Sequence, residues 1–180
     1  MNYRRVFIPN SFVHIIIASY ERKSIFIKYI DILRKAFKNT MQNHKFEIIT
    51  ICILPDHIHV ILNPQDIHNY PKIISSVKHY FSHIVGQVCP TYNNDLKQGY
   101  KNKREMGIFQ RRFYEHTICS QEELNNHIDY IHYNPVKHGY VKNVKDWEFS
   151  TFHKFVKNNL YDENWGSGKD IDNIKIMDFE

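Results

Sequence analysis

One hundred and eighty residues, 42 % of them hydrophobic, suit a single domain able to bury roughly two-thirds of the surface its unfolded chain would expose. The apolar run Phe12–Ala18 is interrupted by His14 and is too short for a membrane span or a signal peptide. Cys52, Cys89 and Cys119 are too scattered for a disulfide framework or a thiolate zinc site, which predicts reduced thiols in the cytoplasm. The net charge of +5 conceals an acidic end: residues 161–180 carry −4, so residues 1–160 carry +9, a balance that suits a phosphate-bearing partner.

In chain order, Phe12–Ala18 reads as a first strand. Ile25–Met41 reads as a first helix, because Phe26, Ile30, Leu33, Phe37 and Met41 recur at helical spacing. Strand-like residues return at Phe46–Leu54 and His57–Leu62, and Pro55-Asp56 between them marks either a bend in one long strand or a tight turn between two. A second helix starts near Pro71, whose fixed φ and missing N–H suit a first turn. Ile73, Val77, Phe81 and Ile84 form its core side, and Lys72, Ser76, His79 and His83 the other.

Residues 87–108 are polar, and a loop of this length inside a compact domain is usually functional or mobile. Across 97–112, Lys97, Lys101, Lys103, Arg104, Arg111 and Arg112 face a single acid, Glu105, with Tyr100 and Phe109 between them. That pattern suits a nucleic-acid backbone, although a solvated loop would look the same. A strand at Phe109–Thr117 leads through Ser120, an N-cap with Glu123 three residues on, into a third helix from Gln121. On that helix Leu124, Ile128 and Ile131 lie within about 60° of one another and form the core stripe, while His127, Tyr130 and Asn134 share its flank, which puts Tyr130 at an exposed core edge. The helix should end or kink near Asn134, ahead of Pro135, with Gly139 as a later stop. Trp147, Phe149, Phe152 and Phe155 suggest a segment that docks back on the domain.

Two features carry chemistry. Alternation along a strand sends Ile58, Val60 and Leu62 to one face and His57 and His59 to the other, close enough together to chelate one metal ion. With 12 histidines in the chain, the pair alone is weak evidence. Tyr130 is a possible nucleophile: a phenolate can displace a phosphodiester oxygen, and a metal ion beside it can polarise the phosphate, although a tyrosine hydroxyl ordinarily titrates at about 10. A core-edge tyrosine with a satisfied hydroxyl is the bland alternative.

Three segments in order, Leu54-Pro55-Asp56-His57-Ile58-His59, Phe109-Gln110-Arg111-Arg112-Phe113-Tyr114-Glu115-His116 and Asp129-Tyr130-Ile131-His132-Tyr133-Asn134-Pro135-Val136-Lys137-His138-Gly139, resemble the signature of REP-associated tyrosine transposases. Asp146-Trp147-Glu148-Phe149-Ser150-Thr151-Phe152-His153 and Asn164-Trp165-Gly166 fit the same family. The resemblance runs through most of the chain from residue 54 and implies membership of the HUH class of single-strand nucleases. It implies an α+β fold of ferredoxin-like or RRM-like type: one domain over 1–160, a central antiparallel sheet flanked by helices, and an acidic C-terminal extension over 161–180.

It further implies His57 and His59 as metal ligands and Tyr130 as nucleophile, with Tyr133 a weaker candidate. Asn134 matches the position of a polar third ligand that is often the longer glutamine, and His127 is the alternative. The metal implied is Mg²⁺ or Mn²⁺, bound together with the substrate. The function implied is cleavage and rejoining of single-stranded hairpin DNA of repetitive extragenic palindromes through a 5′-phosphotyrosine. The protein would act as a monomer or homodimer in a prokaryotic cytoplasm, at the nucleoid. Lys97, Lys101, Lys103, Arg104, Arg111 and Arg112 would hold phosphate, with Lys72, Lys78 and Arg34 as weaker candidates, and Tyr100, Phe109 or Tyr114 would stack on bases. Two rivals use the same residues: a module that binds single strands without cutting them, and a zinc hydrolase built on His57 and His59 with His127 or His116.

Overall fold

A computed structural model describes residues 5–89 and 106–166, together with Ile171 and Ile174. Lys97, Lys101, Lys103, Arg104 and Tyr100 lie outside the described residues. The elements are β1 (Phe12–Ala18), α1 (Ile30–Asn43), β2 (Phe46–Ile53), β3 (His57–Pro64), α2 (Tyr70–Val88), β4 (Tyr114–Ile118), α3 (Gln121–Lys137) and a short α4 (Phe152–Lys157). The four strands form one antiparallel sheet in the order β2-β3-β1-β4, the βαββαβ arrangement of a ferredoxin-like fold, with α3 added after the last strand. The expected α+β class and central antiparallel sheet are as observed.

Alternation divides the sheet into two faces. Val13, Ile15 and Ile17 of β1 and Ile58, Val60 and Leu62 of β3 meet Leu33, Ala36 and Phe37 of α1 and Ile73, Val77 and Phe81 of α2 in one apolar core. Each of these large side chains gains roughly 1.5–3 kcal/mol from complete burial. On the other face Cys52 and Ile61 meet Leu124, Ile128, Tyr130 and Ile131 of α3 in a second core. Covering on both sides explains why β1 and β3 are buried along almost their whole length.

Several boundaries differ from the expectation for local reasons. The first helix begins at Ile30 rather than Ile25, because the amides of Ile25 and Phe26 both donate to the Pro55 carbonyl (2.8 and 2.9 Å) and hold residues 25–29 in a turn against the next hairpin. Met41 is exposed; Ala36 and Thr40 take the buried positions. Pro55-Asp56 is the tip of a tight turn between two strands, closed by Leu54 N donating to the His57 carbonyl (2.8 Å). The last strand is shorter than expected, and Phe109 only bridges to Ser19.

The third helix starts as its cap predicts, with Ser120 Oγ accepting from Glu123 N at 3.1 Å. It runs through Pro135 to Lys137 instead of ending at Asn134. A proline so near the C-terminus sacrifices a single hydrogen bond, and the end is closed by Gly139 N donating to the Val136 carbonyl (3.0 Å) and Tyr140 N to that of Pro135 (2.9 Å). This Schellman closure needs the left-handed φ of +71° that Gly139 supplies. Residues 149–151 then lie along the open edge of β2, where Ile53 N donates to the Phe149 carbonyl (2.8 Å) and Thr151 N to that of Ile51 (2.9 Å), sealing a strand edge. In the acidic segment Tyr161 and Trp165 stack at 4.5 Å between ring centroids and, with Ile171 and Ile174, pack on the second core. No helix among the described residues is long and apolar enough to cross a membrane.

Candidate active site

The sheet register assembles the site. His57 and His59 point toward α3, as alternation requires, and their rings are 5.0 Å apart. His59 lies opposite Ile16 on β1, so His14, two residues earlier and on the same face, is its diagonal neighbour. On the other side of β1, His14 lies opposite His116. His14 Nε2 is 3.3 Å from His59 Nδ1, and His14 Nδ1 is 2.9 Å from His127 Nδ1 on α3. His127 thus reaches His59 through His14, and it also stacks on His116 at 5.0 Å.

The helix approaches β3 in a fixed order. The ring of Tyr130 is 5.7 Å from that of His59, and the ring of His138, two turns later, is 5.0 Å from that of His57. Asn134 occupies the turn between them. It is fully buried, and its side-chain oxygen and nitrogen have no hydrogen-bond partner among the described residues. Burying an unmet amide costs about 1–3 kcal/mol, which makes Asn134 a residue that could serve as a ligand.

The histidine pair is held by its far nitrogens. His57 Nδ1 donates to Asp56 Oδ1 at 2.8 Å, and His59 Nδ1 lies 3.3 Å from His14 Nε2, so Nε2 is the nitrogen through which either imidazole could ligate a metal. A carboxylate behind a ligating imidazole fixes its tautomer and raises its basicity. Burial pushes the Asp56 carboxyl up, but its hydrogen bond to His57 and the charges of His57 and Arg22 outweigh that and leave it below the usual range. Burial, reinforced by His59, His127 and His116, lowers His14 well below an ordinary imidazole, so it stays neutral at neutral pH. The two imidazoles on one strand face are residues that could hold a divalent ion, with phosphate and water as further ligands.

Tyr130 is fully buried rather than at an exposed edge. His14 lies edge-on 6.4 Å away, and the side chain of Lys137, seven residues on and so on the same helix face, lies over the phenol ring at 4.9 Å. Lys137 Nζ donates to the Tyr130 hydroxyl at 3.0 Å. Tyr133 is turned away toward the C-terminal segment, close to Gly166.

Other residues of the shared motifs are structural. The Nε2 of His132 lies 2.9 Å from the hydroxyls of both Thr50 and Thr151, linking α3, β2 and the start of α4, and burial lowers its pKa to about 3. Asp129 is hydrogen-bonded by the Tyr161 hydroxyl, and Trp147 Nε1 donates to the Ile53 carbonyl (3.1 Å). Arg111 and Arg112 are exposed just ahead of β4; Phe109 is buried against Phe26 and Phe81, out of reach of a base, whereas Tyr114 is half-exposed beside His14. His79 and His83 stack on the outer side of α2, across the sheet from the histidine pair. Periodicity does not single out His14, Asp56 or Lys137. Asp56 carried a signal in its adjacency to His57 and Lys137 in its spacing from Tyr130, but His14 is recognisable only from the strand register.

A ferredoxin-like sheet with a paired-histidine face beneath a tyrosine-bearing helix is the architecture of a single-tyrosine transposase, and the family described as "Transposase IS200 like" matches residues 8–134. A REP-associated tyrosine transposase of Escherichia coli is 35 % identical over 145 residues, covering 80 % of this chain and 77 % of that protein. A Haemophilus influenzae protein provisionally named in the same way is 44 % identical over 172 residues, 94 % of this chain and 96 % of that one. A solved structure of a REP-associated tyrosine transposase bound to a REP hairpin superposes with a TM-score of 0.79 at 32 % identity, covering 96 % of this chain and 94 % of that one. The chain belongs to the REP-associated tyrosine transposases of the IS200-like transposase family.

Proposed function

We propose that this transposase is a metal-dependent endonuclease and strand transferase for single-stranded hairpin DNA, with Tyr130 as nucleophile. The Tyr130 hydroxyl gives up its proton to solvent and its oxygen attacks the scissile phosphorus, expelling the 3′ oxygen of the preceding nucleotide, which takes up a proton from solvent, so that a free 3′ hydroxyl and a 5′-phosphotyrosine result. Attack by a 3′ hydroxyl on that linkage rejoins the strand and releases the tyrosine. The observation that carries this reading is the Tyr130 hydroxyl held by the Lys137 ammonium at 3.0 Å, on a ring that packs against the His59 imidazole. A cation placed there stabilises the phenolate that attack requires.

His57 and His59 through Nε2, with Asn134 as the third protein ligand, would hold Mg²⁺ or Mn²⁺, which supplies Lewis-acid polarisation of the phosphate. Asp56 would keep His57 in the ligating tautomer, and His14 would do the same for His59 when it accepts from His59 Nδ1. Because Tyr130 is buried beneath an exposed, flexible lysine, swinging the Lys137 side chain aside is the least costly way to admit the strand. The hairpin seen with the structural relative supports a palindromic substrate. Arg111 and Arg112, with Lys97, Lys101, Lys103 and Arg104, would hold its backbone.

The test is a labelled hairpin oligonucleotide incubated with Mn²⁺ and run on a denaturing gel. Wild type should give a covalent protein–DNA band, and Tyr130→Phe should lose it, with cleavage down at least about a thousandfold and hairpin binding retained. An adduct that survives Tyr130→Phe moves the nucleophile elsewhere. Tight binding by wild type with no cleavage would leave a binding module, and metal-dependent cleavage with no adduct a hydrolase.

A further inference from the structure

Beside this site, and separated from His59 by His14, lies a second cluster. Glu123 Oε1 is 2.6 Å from His116 Nε2, and His127 stacks on His116 with an interplanar angle of 18°. One ligand atom from each of His116, Glu123 and His127 lies within 4.8 Å of the other two, the only such group of three histidine, cysteine or acidic residues among the described residues.

We propose that His116, Glu123 and His127 form a separate transition-metal site, suited to Zn²⁺ or an ion of its class. Two imidazoles and one carboxylate are a zinc donor set that leaves a fourth position for water. Tetrahedral bonds of about 2.0–2.2 Å place ligand atoms about 3.3 Å apart, so shifts of roughly 1 Å at the side-chain ends would close the site.

The protonation states already suit a metal. Burial, together with the charge of His116, lowers His127 to about 4 although Glu123 raises it, so at neutral pH it is a neutral imidazole. Burial acts to raise Glu123, but hydrogen bonds from Cys119 N and His116, with the charge of His116, prevail and hold its carboxyl below the usual range. Little proton release would oppose binding.

The ligands also stand on fixed elements with support behind them. His116 comes from β4, and Glu123 and His127 are one turn apart at the capped start of α3. Cys119 N donates to Glu123 Oε2 at 2.7 Å. His14 Nδ1 lies 2.9 Å from His127 Nδ1, and because a neutral His14 carries one ring proton it can accept from His127, which leaves His127 Nε2 for a metal, only when it does not also accept from His59. An ion here would pin the first turn of α3, the helix that carries Tyr130, to the sheet.

The site is tested in the full chain carrying His57→Ala and His59→Ala, so that the first histidine pair cannot contribute. Equilibrium dialysis should find one Zn²⁺ per chain. Zinc at about a hundred times its dissociation constant should raise the melting temperature by roughly 5–10 °C. Adding His116→Ala and Glu123→Gln should weaken zinc binding at least a hundredfold, and melting of the metal-free variants checks that they still fold. If the first variant takes up no zinc, or if its zinc survives the loss of His116 and Glu123, the cluster is an ion pair that caps α3. Neither result bears on the Tyr130 adduct, which is scored in the unmodified chain.

Discussion

The two faces of the sheet are made by alternate residues of the same strands, yet they do different work. Toward α1 and α2, β1 and β3 present Val13, Ile15, Ile17, Ile58, Val60 and Leu62, a dry layer with no polar group to satisfy. Toward α3 they present His14, His57 and His59, which are as deeply buried but tied into hydrogen bonds with Asp56 and His127. Side-chain period alone separates the two environments, so one residue of slip between β1 and β3 would put imidazoles in the dry core and isoleucines in the site. The dry face should therefore set stability, and the histidine face chemistry.

The largest expected effect lies on the histidine face. His57→Ala should reduce cleavage of a labelled hairpin at least about a thousandfold, while Asp56→Ala, which leaves both imidazoles but removes the carboxylate behind one, should cost about 10–100-fold. Both should melt within a few degrees of wild type. Equal losses in the two variants would mean that Asp56 does more than orient His57.

On the dry face, Leu33→Ala should destabilise the chain by about 2–5 kcal/mol in chemical denaturation and leave cleavage per folded molecule unchanged. A fall in that specific activity would couple the faces more tightly than their separate cores suggest.

Acid should discriminate between them next. His132 at about 3, His127 at about 4 and His14 well below the ordinary value all have folded pKa values beneath the unfolded value of about 6.5. Between those limits the unfolded chain binds the protons that the folded chain refuses. Stability is therefore complete above about pH 6.5 and falls as pH drops toward 4. Denaturant midpoints at pH 7.5 and pH 4.5 should differ by a few kcal/mol, and Leu33→Ala should show the same pH dependence, since the dry face titrates nothing. A flat profile in wild type would contradict the neutral, buried histidines.

The smallest effect concerns neither face but the basic approach to the site. Arg111→Ala with Arg112→Ala should flatten the slope of log affinity against log salt for a single strand by about 1.4 units if both arginines touch phosphate. An unchanged slope in a salt titration would return the DNA track to other cations, Lys72 among them.

Much of the site is legible before folding is considered. The alternation around His57 and His59, the Ser120 cap with Glu123 and the shared flank of Tyr130 and Asn134 depend on periods of two and 3.6 residues, which are local properties of the chain. The motif resemblance locates the same residues. The false boundary at Ile25 and the helix end expected at Asn134 come from segments where a tertiary hydrogen bond to the Pro55 carbonyl or a Schellman closure overrides local preference. The exposure expected for Tyr130 fails for a similar reason, because the cover comes from Lys137 and from His14 on another element.

By itself, then, the sequence determines which residues can share a strand face or a helix flank, and with the motifs it selects His57, His59 and Tyr130. Only the tertiary structure brings His14 beneath His59, sets His116 beside His127 and leaves Asn134 buried with an unmet amide between Tyr130 and His138. Those relations depend on strand order and on the placement of α3 across the sheet. Both are fixed by burying two apolar layers at once, a collective free energy that no short window of sequence contains.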